Sequence, residues 1–227
     1  MRHEYLFAFL LLSTAATAQV REGDVLYNRV YLDAQAEREV PNDEMRVVLF
    51  VEQQGRDAES LQQRINQDMN WALDMAKREK DIATSSGSYR TVPLYENRLI
   101  ARWRVSQELE LVSTSINRLT ELTGRLQERL QVRSMDFRPT KATRDRYQEE
   151  LMEEALALFK RRAEIVGRHM PTPKYRIVEL QVNAGGGPIP MERMKLATMA
   201  MQADAAPGVE AGTSLMTVTV SGNVQFE

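Results

Sequence analysis

RLIARWRVSQELELV, residues 98–112, decides the fold class. Leu99, Ala101, Trp103 and Val105 fall on one side of an extended chain, and Arg102, Arg104 and Ser106 fall on the other. Successive side chains of a strand point to opposite faces. The stretch therefore reads as a strand with one covered and one wet face, as antiparallel sheets have. Residues 82–95 read as its partner strand, joined to it through a turn near Glu96-Asn97.

Toward the N-terminus, Val25 to Val40 is rich in strand-forming residues, with loose alternation through Tyr27, Val30, Tyr31 and Leu32. Pro41-Asn42-Asp43 is a turn signal, and MRVVLFV (Met45 to Val51) resumes an apolar strand. Together they predict a hairpin that ends at Gly55. Asp57 is a candidate N-cap for a helix in which Leu61, Ile65, Met69, Ala72 and Ala76 share one face. Trp71 and Met75 widen that face, and the charged run Lys77 to Asp81 reads as a solvated last turn.

Toward the C-terminus, Ser113 opens a second helix with Ile116, Leu119, Leu122, Leu126 and Leu130 on one face. Residues 131–138 form a short strand closed by Pro139. Thr143 is expected to cap a long helix whose stripe is Tyr147, Leu151, Ala155, Leu158 and Ile165, with Ala163 and Val166 alongside. Gly167, Pro171 and Pro173 end it. Lys174 to Val182 is a further strand, residues 184–212 a flexible loop, and Leu215 to Phe226 a closing strand in which Met216, Val218 and Val220 alternate with threonines and a serine. The order ββ-α-ββ-α-β-α-β-(loop)-β argues for an α+β fold, antiparallel or mixed sheets covered by helices, with room for two packed subdomains.

The N-terminus carries a targeting pattern. Arg2 and His3 precede the wholly apolar run LFAFLLL (Leu6 to Leu12), although Glu4 is an untypical acid there. Ala16-Thr17-Ala18 supplies the small residues of a cleavage site, predicting a signal peptide over residues 1–18 cut between Ala18 and Gln19. The run is too short to span a bilayer, which takes roughly 20 apolar residues. Residues 19–227 are then the mature domain, and no later stretch approaches transmembrane length.

The formal net charge is −2, and the signal carries one basic and one acidic residue, so the mature chain keeps that balance. Nucleic-acid binding needs a concentrated positive footprint, and none is expected. Cys 0 excludes thiol catalysis and cysteine-based metal sites, and together with the export signal it points to a bacterial periplasm.

Several features could carry chemistry. His169, the one histidine after residue 18, stands just past the long helix, where it reads as a cation meeting the helix dipole. Gly185-Gly186-Gly187 lacks the lysine and the strand-to-helix context of a phosphate loop. Glu149, Glu150, Glu153 and Glu154 fall on the polar side of their helix and read as a solvated face. Met191, Met194, Met199 and Met201 are soft donors for Cu(I) and reversibly oxidisable, or fillers of irregular apolar contacts.

An ordered set of segments resembles the SIMPL-domain (YggE-like) family of periplasmic proteins of unknown biochemical function. They are Val30 to Val51 broken at Pro41-Asn42-Asp43, and Tyr89 to Tyr95 followed by Trp103 to Leu109. The helix with Ala155, Arg162, Ala163 and Gly167 leading into Tyr175 to Glu179, and the ending Val218-Thr-Val-Ser-Gly222-Asn-Val, complete the set. Two departures stand out: the first strand has Leu32-Asp33-Ala34 where the family usually carries a glycine, and Asn42 separates Pro41 from Asp43. The resemblance implies α+β subdomains, envelope residence, assembly into large rings and an association with oxidative-stress defence. It supplies no catalytic residue.

The expectation is a non-enzymatic envelope protein without a cofactor, a homo-oligomer or a binder of another envelope protein, with the strands at 98–112 and 215–226 offering edges to a second copy. The alternatives are Met-based copper or redox buffering through residues 191–201, and a carboxylate-dependent hydrolase with convergent acids in a cleft.

Overall fold

The computed structural model describes residues 27–185, 187, 189–190 and 210–227. Residues 1–18 and the methionine tract 191–201 lie outside the described residues. The elements are β1 (Arg29–Pro41), β2 (Glu44–Gly55), α1 (Ala58–Ala76), β3 (Ala83–Glu96), β4 (Leu99–Ser113), α2 (Ile116–Leu126), β5 (Gln131–Arg138), α3 (Lys141–Gly167), β6 (Tyr175–Asn183), β7 (Ile189–Pro190) and β8 (Thr213–Phe226).

β2 to β5 form an antiparallel sheet of order β3-β4-β2-β5, with α1 and α2 packed on it. A βαββαβ chain with that order is a ferredoxin-like unit, each helix crossing between strands that are not neighbours. Its core is Met45, Val47, Leu49 and Val51 from β2, Val105, Leu109 and Leu111 from β4, and the helix stripes. In α1 the buried residues are Leu61, Ile65, Met69, Ala72 and Ala76, as the periodicity predicts. The Asp57 side chain caps α1 by accepting from the Glu59 and Ser60 amides. α2 buries Leu119, Leu122, Thr123 and Leu126. Ser113 ends β4 and does not open α2: its hydroxyl accepts from the Ser115 amide and donates to the Asp81 carbonyl. The charged run after α1 is tied down too, with Glu79 on Arg125 and Asp81 on Arg118.

The second sheet has β8 in the middle, antiparallel to β1 on one side and to β6 and the short β7 on the other. β8 buries every second residue, Ser214 through Phe226, against α3. Gly222 lies opposite Leu180, just past a bulge in β6, where a Cβ would drive into the Glu179 carbonyl oxygen, a close approach that only glycine permits. The α3 core residues are Leu151, Ala155, Phe159, Ala163 and Gly167. This corrects the predicted stripe. Phe159 is fully buried, whereas Ile165 is 42% exposed, because a constant spacing of four winds slowly round the helix to follow the twisted sheet. Thr140, not Thr143, is the N-cap of α3.

The hairpin predicted for the first two strands is not formed: β1 pairs with β8, and β2 pairs with β4 and β5. Two-residue hairpin loops need positive φ at one or both central residues. Asn97 (φ 50) and Arg98 (φ 65) provide that between β3 and β4, whereas neither Asn42 nor Asp43 is among the positive-φ residues. The Pro41-Asn42-Asp43 segment instead carries the chain from one sheet to the other.

Candidate functional site

That crossing is a built joint. Asn42 is 7% exposed, donates to the Ala211 carbonyl at 2.8 Å and accepts from the Ser214 hydroxyl at 2.7 Å. Asp43 accepts from the Thr140 amide (2.6 Å), the Thr140 hydroxyl (3.1 Å) and the Thr143 hydroxyl (2.6 Å). Burial alone pushes the Asp43 carboxyl up, but the Thr143 and Thr140 hydrogen bonds together hold it below the ordinary carboxylate range. Asp57 and Glu110 are lowered as well, Asp57 by the amide and hydroxyl of Ser60 and Glu110 by the Arg46 guanidinium. A general acid needs the opposite shift.

The four glutamates of α3 stand on its exposed face, as predicted, yet two of them are engaged. Glu150 and Glu154 grip Arg38 of β1 at 2.6 and 3.0 Å, a brace between helix and sheet. His169 is exposed beyond the end of α3, with its amide on the Val166 carbonyl. Gly185 ends β6 in a left-handed turn (φ 65) with its amide on Asn183 Oδ1. Those of the sequence-predicted residues that are described are thus not brought together into one site.

The surface that sequence reasoning missed is β6. The strands expected to offer edges, residues 98–112 and 215–226, lie inside their sheets as β4 and β8. The outer edge of β6 has no strand partner among the described residues, and α3 lies over β1 and β8 and hardly reaches β6. Register places Ile177, Leu180 and Val182 opposite Val224, Gly222 and Val220, hence on the helix side of the sheet. With no helix over them among the described residues, they are 42%, 40% and 38% exposed. The alternation in Ile177-Val-Glu-Leu-Gln-Val182 was visible in the sequence; that its apolar side goes uncovered was not.

An α+β protein of two helix-covered antiparallel sheets is the class that this geometry defines. The chain belongs to the SIMPL family, described as proteins of unknown function (DUF541), whose model matches residues 30–226. No curated protein matches the sequence. The match spans both sheets, from β1 to β8. No helix among the described residues is long and apolar enough to cross a membrane.

Proposed function

We propose that this chain is an exported, non-enzymatic envelope protein that assembles with further copies of itself through the β6 edge. The observation that supports this is the strip Ile177, Leu180 and Val182, half-exposed on a strand whose outer edge has no partner among the described residues. Natural sheets protect such edges with charge, bulges, proline or a covering element. β6 has the bulge at Val178, but its middle remains apolar. A second copy is the fitting occupant because β1, at the opposite side of the same sheet, also has no partner on its outer edge among the described residues, so each subunit brings a strand to pair with β6 of the next. Export is supported by LFAFLLL and Ala16-Thr17-Ala18, and the link to oxidative-stress defence by the family resemblance alone.

Light scattering on the purified protein across a concentration series tests assembly. A discrete oligomer that dissociates in Leu180→Lys/Val182→Lys supports the reading. A strict monomer overturns it, and an oligomer indifferent to those substitutions moves the interface, or the strip's occupant, elsewhere. N-terminal sequencing of the exported chain tests the leader, with Gln19 as the expected first residue.

A further inference from the structure

The outer face of the β3-β4-β2-β5 sheet holds a hollow of about 200 Å³. It forms where Ser106, a small side chain in mid-strand, is ringed by longer ones: Arg90 of β3, Arg104 and Glu108 of β4, Glu52 of β2 and Arg133 of β5. Register puts Arg90 directly across from Ser106, and Ser106 across from Glu52. A bulge at Gly87-Ser88 lets β3 close over the rim, since a side chain at 87 would meet Glu108 Cβ at 2.7 Å. Bulges recur where a strand must re-aim side chains at a site.

The charges inside do not cancel. Arg133 is committed to Glu108 and lies over the Phe50 ring, 4.7 Å from its centroid. Arg104 Nε sits 3.3 Å from Glu52 Oε1, yet this buried nitrogen makes no hydrogen bond. Arg90 ion-pairs with no acid among the described residues. Three guanidiniums thus face two carboxylates, leaving one net positive charge. The hollow also holds an N–H donor, Arg104 Nε, whose contact with Glu52 lacks hydrogen-bond geometry and which an acceptor entering the hollow would satisfy.

The geometry points to a binding site for a small molecule carrying a compact oxyanion, a carboxylate or a phosphate, held by Arg90 and Arg104 above Ser106. Arginine presents a planar fork of donors that matches both groups, and a hydroxyl on the floor adds a further donor. The volume suits a phosphate or a short dicarboxylate.

Calorimetric titration of inorganic phosphate and, separately, succinate into the purified full chain at fixed ionic strength tests the site. Saturable binding of one or both is expected, and the preference between them identifies the oxyanion. Arg90→Gln removes an exposed, unpaired side chain and should leave the melting temperature unchanged while weakening binding roughly ten-fold or more. Glu52→Gln should strengthen it by removing a repelling charge, and Ser106→Val should abolish it by filling the floor. Opposite effects of Arg90→Gln and Glu52→Gln cannot come from a shared loss of folding. No saturation with either anion at about 10 mM, beyond the millimolar range of a weak specific site, overturns the site, as does an affinity that both variants leave alone or move in the same direction.

Discussion

Asp43 shows how one side chain can hold two halves of a chain together. Its carboxylate collects three hydrogen bonds from Thr140 and Thr143, the residues that start α3. Its folded-state pKa is below the ordinary 3.8, so its contribution to stability is complete above that value and disappears as pH falls through the lowered one. Asp43→Ala should cost on the order of 1–3 kcal/mol at neutral pH. In urea melts, the gap between wild type and variant should narrow below about pH 4, where the unfolded carboxyl takes up its proton; a gap constant with pH would show that the charge is irrelevant. Arg98 makes the reverse case. It takes the left-handed conformation (φ 65) in the β3–β4 turn, which glycine adopts without strain. Arg98→Gly should raise stability by about 0.5–1 kcal/mol, seen as a higher denaturant midpoint with unchanged slope.

At the scale of elements, α3 is held by what it buries and not by its propensity alone. Phe159 is the largest of its fully buried side chains and sits among Ala155, Ala163 and the β8 valines in one cluster. Phe159→Ala should cost about 3–5 kcal/mol, since the surrounding strands cannot collapse onto the cavity. Ile165→Ala, at a position read from sequence as part of the stripe, should cost no more than about 1 kcal/mol because that side chain is 42% exposed and lies outside the core cluster. Measured by chemical denaturation, equal losses at the two positions would refute this assignment of the buried face. Gly167 belongs to the same face: a Cβ there would stand 3.0 Å from Phe226 and from the Pro173 carbonyl oxygen, so the end of α3 approaches the sheet where a larger residue would hold it off.

At the scale of the molecule, the described residues form two separate cores. One lies between the β2–β5 sheet and α1 and α2, the other between the β1-β8-β6 sheet and α3. The first is built from one continuous stretch, residues 44–138, inserted between β1 and α3. All strand pairs of that sheet and both its helices lie within the stretch, so it closes its core without help from the rest. Residues 44–138 alone should therefore unfold cooperatively in a thermal melt followed by circular dichroism. A non-cooperative melt would show that the joint at Asn42, Asp43 and Thr140 supplies stability that neither core has by itself.

The sequence by itself determined what depends on near neighbours. Alternation marked the strands read at 98–112 and 215–226, found at Leu99–Ser113 and Thr213–Phe226, a spacing of three and four set the buried faces of α1 and α2, and Asp57 set a helix start. These signals are local because side-chain direction repeats every two residues in a strand and every 3.6 in a helix. Which strand lies beside which was decided only by the tertiary structure. β1 meets β8 across nearly the whole chain, and no pattern within β1 names that partner, so Pro41-Asn42-Asp43 read as a hairpin turn when it is a crossing. The uncovered strip of β6 and the arginine-lined hollow follow the same rule. Each exists because strands far apart in sequence come to lie side by side, leaving a small serine among long side chains in one place and, among the described residues, no helix overhead in the other.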